Sequence, residues 1–265
     1  MRPLFLISND DGYQAPGINF LIEVLRPHAN LVVVAPTGPR SGYSCAITSH
    51  DPIRCEEICR ERARRKSKNC AGMGSLEVYA CTGTPVDCVK FAFNVILKDR
   101  QPDLIIGGIN HGDNSSVNTH YSGTMGVAME GALQGYPAIA FSLCDHRWDA
   151  DFEPYRQFIV DITFKAISMG MPPLTALNVN FPKVSKLKGV KVCRMAHSRW
   201  INELCTRHHP RGTEKYYWLV GENIELEPEA TDTDRWALAN GYAAITPTNF
   251  DVTAYNLISV VQNMF

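Results

Sequence analysis

The sequence has no apolar segment long enough to enter or cross a membrane. Its longest apolar runs fall well short of the about 18 residues that suggest a membrane-spanning helix. The apolar run at residues 3–7 is too short for the core of a secretory signal, and the charged Asp10 and Asp11 follow it closely. The nine cysteines, an odd number spread along the chain, are expected to be reduced thiols. We therefore expect a cytoplasmic protein with no membrane partner.

An excess of charge of one sign is also missing. The chain has 26 Lys and Arg residues against 27 Asp and Glu residues, a formal net charge of −1 at pH 7. Net charge therefore gives no argument for a protein that binds nucleic acid or a membrane surface. The one basic run, at residues 60–68, is interpreted as a solvated face, with nucleic-acid binding as a weaker alternative.

Several well-known catalytic and binding motifs are absent as well. No Gly-x-x-x-x-Gly-Lys-Ser/Thr motif is present, which argues against a P-loop nucleoside triphosphatase. The first apolar run leads into two aspartates rather than the glycine-rich turn of a dinucleotide-binding domain. Residues 41–44 do not form the nucleophile elbow of an α/β-hydrolase. Cys55, Cys59 and Cys70 match no strong zinc pattern, so a structural zinc site is only a minor alternative.

What the chain does contain is a pattern of alternating strands and helices. Its 265 residues and 45% hydrophobic content suit a globular protein. Apolar runs at 3–8 and 31–35 flank a helical pattern at 17–27, which predicts a strand–helix–strand unit and a parallel sheet. Further strands are predicted at 104–108, 138–143, 175–181, 189–194 and 242–247, and helices at 85–98, 123–135, 155–169 and 233–239. Residues 218–227 are predicted to be a strand or a hairpin arm. Residues 55–75 are interpreted as a solvated insertion, with a short exposed helix as one reading.

Polar residues follow several of these predicted strands. Asp10 and Asp11 come directly after the first one, where parallel sheets bind ligands. Adjacent carboxylates repel each other unless a cation neutralises them, although an Asx turn or a helix cap remains an equally open alternative. Segments 36–44 and 108–114 add hydroxyls and amides, and residues 121–126 open a helix whose N-terminus could bind phosphate. Together these groups are typical of a metal-assisted phosphoryl-transfer site.

The same segments carry a resemblance to a known family. The chain resembles the survival protein E (SurE) family of 5′/3′-nucleotidases and acid phosphatases. The motifs that carry the resemblance are Ser8-Asn9-Asp10-Asp11-Gly12-Tyr13, Val34-Ala35-Pro36 with Ser41-Gly42-x-Ser44, Gly83-Thr84-Pro85-x-Asp87-Cys88-Val89, Gly108-Ile109-Asn110-x-Gly112-x-Asn114 and Tyr121-Ser122-Gly123-Thr124-x-Gly126. The match covers nearly all of residues 1–145 and continues more thinly to 250. Residues 55–75 depart from the family pattern because the segment is longer and more basic.

The resemblance implies a site for one divalent cation, Mg²⁺ or Mn²⁺. Its ligands would be Asp10, Asp11, Ser41 and Asn110, with Asp10 and Asp11 also as the catalytic residues. All four donate oxygen, which suits these metals better than zinc. The resemblance also implies that the phosphate contacts Asn9, Gly42, Asn114, Ser122, Gly123 and Thr124.

The resemblance implies an architecture and an activity as well. The expected fold is a single α/β domain over 1–265, with a Rossmann-like three-layer core at about 1–195 and 230–265 and a mostly parallel sheet. A C-terminal β-rich arm at about 196–229 would serve oligomerisation into a homodimer or homotetramer. The expected activity is metal-dependent hydrolysis of nucleoside 5′- or 3′-monophosphates; the alternative is a non-catalytic regulator that binds a nucleotide or phosphate. No nucleic-acid partner is expected beyond weak hydrolysis of short oligonucleotides or polyphosphate.

Overall fold

The computed structural model describes residues 2–64 and 72–265, and a mixed β-sheet forms the centre of this part of the chain. The strands are β1 (Leu4–Ser8), β2 (Asn30–Pro36), β3 (Cys55–Glu61), β4 (Leu76–Cys81), β5 (Leu104–His111), β6 (Ala138–Leu143), β7 (Thr175–Phe181), β8 (Val190–Val192), β9 (Ser198–Ile201), β10 (Leu204–His208), β11 (Lys215–Leu219), β12 (Glu222–Glu225) and β13 (Ala243–Asn249). The helices are α1 (Pro16–Leu25), α2 (Pro85–Phe91), α3 (Gly123–Leu133), α4 (Arg156–Met169), α5 (Asp234–Ala239) and α6 (Tyr255–Gln262).

The sheet confirms the predicted α/β fold with mostly parallel strands. Its spatial order is β3-β4-β2-β1-β5-β6-β7-β13-β8, and only the β3–β4 and β7–β13 pairs are antiparallel. Successive residues of β1 point to opposite faces, so Phe5 and Ile7 join one buried cluster and Leu6 joins the other. Helices α1 and α4 pack on the first face, and α2 and α3 pack on the second. Helix, sheet and helix therefore form three layers, as expected.

Two glycines let the helices approach strand β5 closely. A Cβ atom added to Gly17, in α1, would lie 2.1 Å from the carbonyl oxygen of Ile109. A Cβ added to Gly107, in β5, would lie 2.5 Å from the carbonyl oxygen of Thr124 in α3. Strand β5 is therefore held between two helix backbones, and this packing fixes where its carboxyl end lies.

The short helix considered for residues 55–75 is wrong for residues 55–61, although most of these residues are exposed to solvent as expected. These residues form β3, an edge strand paired antiparallel with the buried strand β4. Its charges are used in ion pairs: Arg60 contacts Glu57 and Glu77, and Glu61 contacts Arg26. Pairing with a buried neighbour and these ion pairs outweigh the polar composition. Residues 65–71, which include Cys70 of the zinc alternative, lie outside the described residues.

The helix predicted at 85–98 changes its winding halfway along. It is α-helical over α2 and continues as a π-helix over Ala92–Leu97. The side-chain amide of Asn94 donates to the carbonyl oxygen of Lys90, the acceptor that an ordinary α-helical hydrogen bond would use. The other predicted strands and helices are present, with bounds shifted by a few residues.

Two small β-ladders lie outside the main sheet. Strand β9 pairs with β12, and β10 pairs with β11, both antiparallel. These ladders occupy the region predicted as a C-terminal arm. The final helix, α6, has no buried residue. Within the described residues, no helix combines the length and the apolar character that a membrane span requires.

The contact at Gly17 predicts a large cost for a single methyl group. Gly17→Ala should lower the free energy of unfolding by about 1–3 kcal/mol, because the methyl group meets a backbone carbonyl that cannot rotate away. Urea unfolding followed by circular dichroism measures the loss. Gly38→Ala is the matched control, since a Cβ there meets nothing within 4 Å. Equal stability of the two variants would contradict the packing described for α1.

Candidate active site at the carboxyl end of the parallel strands

The turn after β1 is made by Asn9 and leaves the two aspartates available. The Asn9 side-chain amide donates to the carbonyl oxygen of Gly12 over 2.9 Å, and its carbonyl accepts from the Gly12 N–H over 3.2 Å. Asn9 is fully buried in this role. The side chain that holds this turn is therefore that of Asn9, so the carboxylates of Asp10 and Asp11 are free for other roles.

The carboxylate of Asp10 is buried against the first turn of α3. Only 3% of Asp10 is exposed. Its Oδ1 accepts a hydrogen bond of 2.5 Å from the Thr124 hydroxyl, and the Gly123 N–H also donates to the carboxylate. Burial, together with the charge of Asp11, raises the pKa of Asp10 to about 6. The ionised form of Asp10 is thus unfavourable unless a positive charge comes close.

The pKa of Asp11 is raised as well. Burial raises the pKa of Asp11 to about 6, although its Oδ2 accepts from the His111 N–H over 3.2 Å. Neither aspartate forms an ion pair with a lysine or arginine in residues 2–64 and 72–265. The charge of His146 lowers the pKa of Asp11 only in part. A buried and a half-buried carboxylate side by side, with no lysine or arginine paired to them, are the environment in which a divalent cation is stabilising.

The donor set fits such a cation. The side-chain N–H of Asn110 donates to the carbonyl oxygen of Gly112 over 2.8 Å, which leaves Oδ1 of Asn110 available to a ligand. Ser41 lies exposed at the rim and adds a hydroxyl. In the described part of the chain, no three His, Cys, Asp or Glu side chains come together as metal ligands. A metal here would therefore need the neutral oxygens of Ser41 and Asn110 beside the two carboxylates, a set that suits Mg²⁺ or Mn²⁺.

Arg40 positions the loop that carries Ser41. Its N–H donates to the carbonyl oxygen of Asp10 over 2.6 Å, and its Nη2 donates to that of Thr82 over 3.0 Å. The guanidinium is thus bonded to the backbone. Its role in this structure is to hold residues 41–42 beside Asp10.

The remaining predicted phosphate contacts lie at the start of α3 and beneath it. Ser122 caps α3, and its Oγ accepts from the Met125 N–H over 3.0 Å. Asn114 is buried, with its N–H donating to Oδ1 of Asn180 over 2.7 Å and its side-chain amide donating to Oγ of Ser142 over 2.8 Å. These bonds orient Asn114 from strands β6 and β7, so its position is fixed by the sheet.

A cavity of about 650 Å³ collects six of the ten predicted residues. These six are Asp10, Ser41, Gly42, Asn110, Asn114 and Ser122. The other four, Asn9, Asp11, Gly123 and Thr124, do not line it. Thr124 and Gly123 act on the site indirectly, through their hydrogen bonds to Asp10. No lysine or arginine from the described residues lines the cavity.

Sequence reasoning did not single out several residues that line this cavity. They are His111, Asp113, Asn118, Tyr121, His146, Trp200, Glu203 and the turn at 219–221. His146 follows strand β6 as Asp10 follows β1, so position after a predicted strand was a usable signal for it. Trp200, Glu203 and the turn come from the arm, and no motif in the arm indicated that it reaches the site.

Comparisons with known proteins agree on one family. The family model described as "Survival protein SurE" matches residues 5–202. A "5′-nucleotidase SurE" of Phocaeicola vulgatus is 51% identical over 99% of this chain and 96% of that protein. The protein of the same name from Bacteroides thetaiotaomicron is 52% identical over 97% of this chain and 94% of its own length. The crystal structure of the SurE protein from Aquifex aeolicus superposes with a TM-score of 0.79 at 35% identity, covering 99% of both chains.

The raised pKa of Asp10 makes a stability prediction for the metal-free protein. The pKa is 3.8 in the unfolded reference and about 6 in the fold, so ionised Asp10 costs folding free energy above about pH 6. This loss of folding free energy is about 1–3 kcal/mol above pH 6. It decreases as the pH falls from about 6 towards about 4, because Asp10 is then protonated in the folded protein. Asp10→Asn should therefore raise the melting temperature at pH 7.5 in EDTA and have little effect near pH 4.

Differential scanning calorimetry at the two pH values measures this difference. Asp149→Asn is the control, because the Asp149 side chain is 82% exposed and its replacement should change the melting temperature little. If Asp10→Asn destabilised the metal-free protein at pH 7.5, the unfavourable charge assigned to Asp10 would be wrong.

Proposed function

Since the chain belongs to the survival protein SurE family, we propose that it hydrolyses nucleoside monophosphates to nucleoside and phosphate with the help of one divalent cation. As an enzyme it is a nucleotidase, and relatives at 51% and 52% identity carry the name 5′-nucleotidase. Both 5′- and 3′-monophosphates are candidate substrates, since the cavity lining does not favour one ester position over the other.

The observation that carries the proposal is a cavity lined by carboxylates and, among the described residues, by two histidines but no lysine or arginine. A phosphate group entering it meets the carboxylates of Asp10, Asp113 and Glu203 and, within the described residues, no lysine or arginine. Such a ligand would be repelled unless a cation stood between it and the carboxylates. Asp10, Asp11, Ser41 and Asn110 would hold that cation. Bound there, it supplies the positive charge that offsets the phosphate oxygens and the charge that develops in the transition state.

The chain's own residues orient the reactants. The Thr124 hydroxyl fixes the Asp10 carboxylate, which is then placed to orient a water molecule and take its proton as the water attacks phosphorus. The Ser122 oxygen is occupied as an acceptor, so its hydroxyl proton is free to donate to a phosphate oxygen. The start of α3, a helix of 11 residues, adds its favourable dipole for an anion.

The enzyme explains the buried carboxylates better than the alternative of a non-catalytic binder. A protein that only binds phosphate needs donors, and two carboxylates whose pKa values are both raised would oppose binding. The same carboxylates are useful when they hold a cation and orient water.

We also propose a homodimer or homotetramer in the cytoplasm. Helix α6 and its flanks expose large apolar side chains, among them Leu257, Ile258, Val260, Val261 and Met264. A run of this size on one exposed helix is typical of a subunit interface. The arm at 196–229 is the second candidate contact. The eight cysteines of the described residues are all free thiols, which is consistent with a reducing compartment.

Activity should depend on Asp11 and on a metal. Asp11→Asn should lower kcat/KM for AMP and GMP by at least about 100-fold, because it removes a proposed metal ligand. Activity should also disappear after EDTA treatment and return with Mg²⁺ or Mn²⁺. Release of inorganic phosphate measures both effects, and Asp149→Asn serves as the control. Nucleotide hydrolysis that survives exhaustive chelation would refute the metal requirement.

If α6 forms the subunit interface, a single substitution in α6 should lower the mass of the assembly. Ile258→Asp places a charge in the apolar surface of α6, so sedimentation velocity should show a smaller assembly than for the native chain. Asp149→Asn, a substitution at an exposed residue outside both α6 and the arm, should leave the assembly unchanged. A native chain that sediments as a monomer at micromolar concentration would exclude the proposed oligomer.

A further inference from the structure

The active-site cavity has a second end, built by the arm. Trp200 in β9, Glu203 after β9 and the turn between β11 and β12 line the cavity together with residues of the core. The indole N–H of Trp200 donates to Oδ1 of Asn118 over 3.0 Å, which ties the ring to the core beside the cavity. A cavity of about 650 Å³ has room for a nucleoside beyond the phosphate.

Gly221 keeps the space beside the indole open. A Cβ there would lie 3.2 Å from Cε3 of Trp200 and 3.3 Å from Cγ of Glu203. The backbone φ of Gly221 is +138°, a conformation that other residues rarely adopt. The ring and the carboxylate-bearing side chain therefore border the same space, and no side chain from position 221 fills it.

Glu203 has no cationic partner in this space. It forms no ion pair within residues 2–64 and 72–265, and no lysine or arginine from those residues lines the cavity. Its carboxylate is an acceptor only, with two oxygens side by side. The ligand group that matches it is a pair of adjacent N–H donors.

We propose that Trp200 stacks on the base of the substrate and that Glu203 selects guanine. Guanine presents N1–H and the N2 amino group as adjacent donors on its Watson–Crick edge. Adenine and cytosine each present one amino group beside an acceptor nitrogen, which the carboxylate would repel. Stacking on an aromatic ring favours any base, so Trp200 provides affinity and Glu203 provides discrimination. This inference rests on the proposed nucleotidase function.

Steady-state kinetics with the metal-loaded full chain test the assignment. The substrates are GMP, AMP and p-nitrophenyl phosphate, which has no base. We expect kcat/KM for GMP to exceed that for AMP by at least tenfold in the native protein. Glu203→Gln should lower this ratio at least tenfold, because the new amide places a donor against the guanine donors. Trp200→Ala should raise KM for both nucleotides about tenfold, with a smaller effect on kcat.

Matched variants on the same arm separate these effects from damage to the arm. Glu214→Gln and Trp218→Ala change residues that do not line the cavity, and Trp218 is 62% exposed. Both should keep the native GMP/AMP ratio. A ratio of two substrates measured on one preparation does not depend on the folded fraction, so partial unfolding cannot imitate the result.

The outcomes distinguish this inference from the proposed function. If the native protein hydrolyses neither nucleotides nor p-nitrophenyl phosphate, the nucleotidase proposal fails. If it hydrolyses nucleotides with a GMP/AMP ratio near one, and Glu203→Gln leaves that ratio unchanged, the base assignment fails and the nucleotidase proposal stands. An unchanged KM in Trp200→Ala would likewise overturn the stacking role of Trp200.

Discussion

The withdrawal of two neighbouring carboxylates from water organises the site at the end of β1. Asp10 is buried and Asp11 half-buried at the end of a central strand, and neither forms an ion pair with a lysine or arginine of the described residues. Such an arrangement is stable only because hydrogen bonds from Thr124 and the backbone of His111 offset part of its cost. A bound divalent cation would stabilise the two ionised carboxylates and supply the positive charge that attracts a phosphorylated ligand into the cavity.

The packing around β5 is what allows those compensating hydrogen bonds to form. Gly17 and Gly107 bring α1 and α3 against the strand, backbone to backbone. As a result, the start of α3 reaches Asp10, and the end of β5 reaches Asp11 through the N–H of His111. Small residues in the core thus determine distances in the site, although none of them contacts a ligand.

The sequence predicted those parts of the protein in which local pattern and tertiary structure agree. The apolar runs of β1 and β6 form strands, because a parallel strand buried on both faces needs apolar residues at every position. The residues that follow these strands form the site. The edge strand β3 was missed because its charges form ion pairs with Glu77 and Arg26, which no local pattern shows. The contribution of Trp200 and Glu203 was missed because it depends on how the arm folds back on the core.

That contribution divides the cavity into two ends of different origin. The carboxylate end is fixed by the central sheet, while hydrogen bonds to individual core residues anchor the arm. One of them is the buried Asp234, which accepts from the N–H groups of Ser116 and Ala196. Because the arm contributes no proposed metal ligand, substitutions at Trp200 or Glu203 can alter which base fits while the phosphate end keeps its geometry. A change in base preference therefore does not require a change in chemistry.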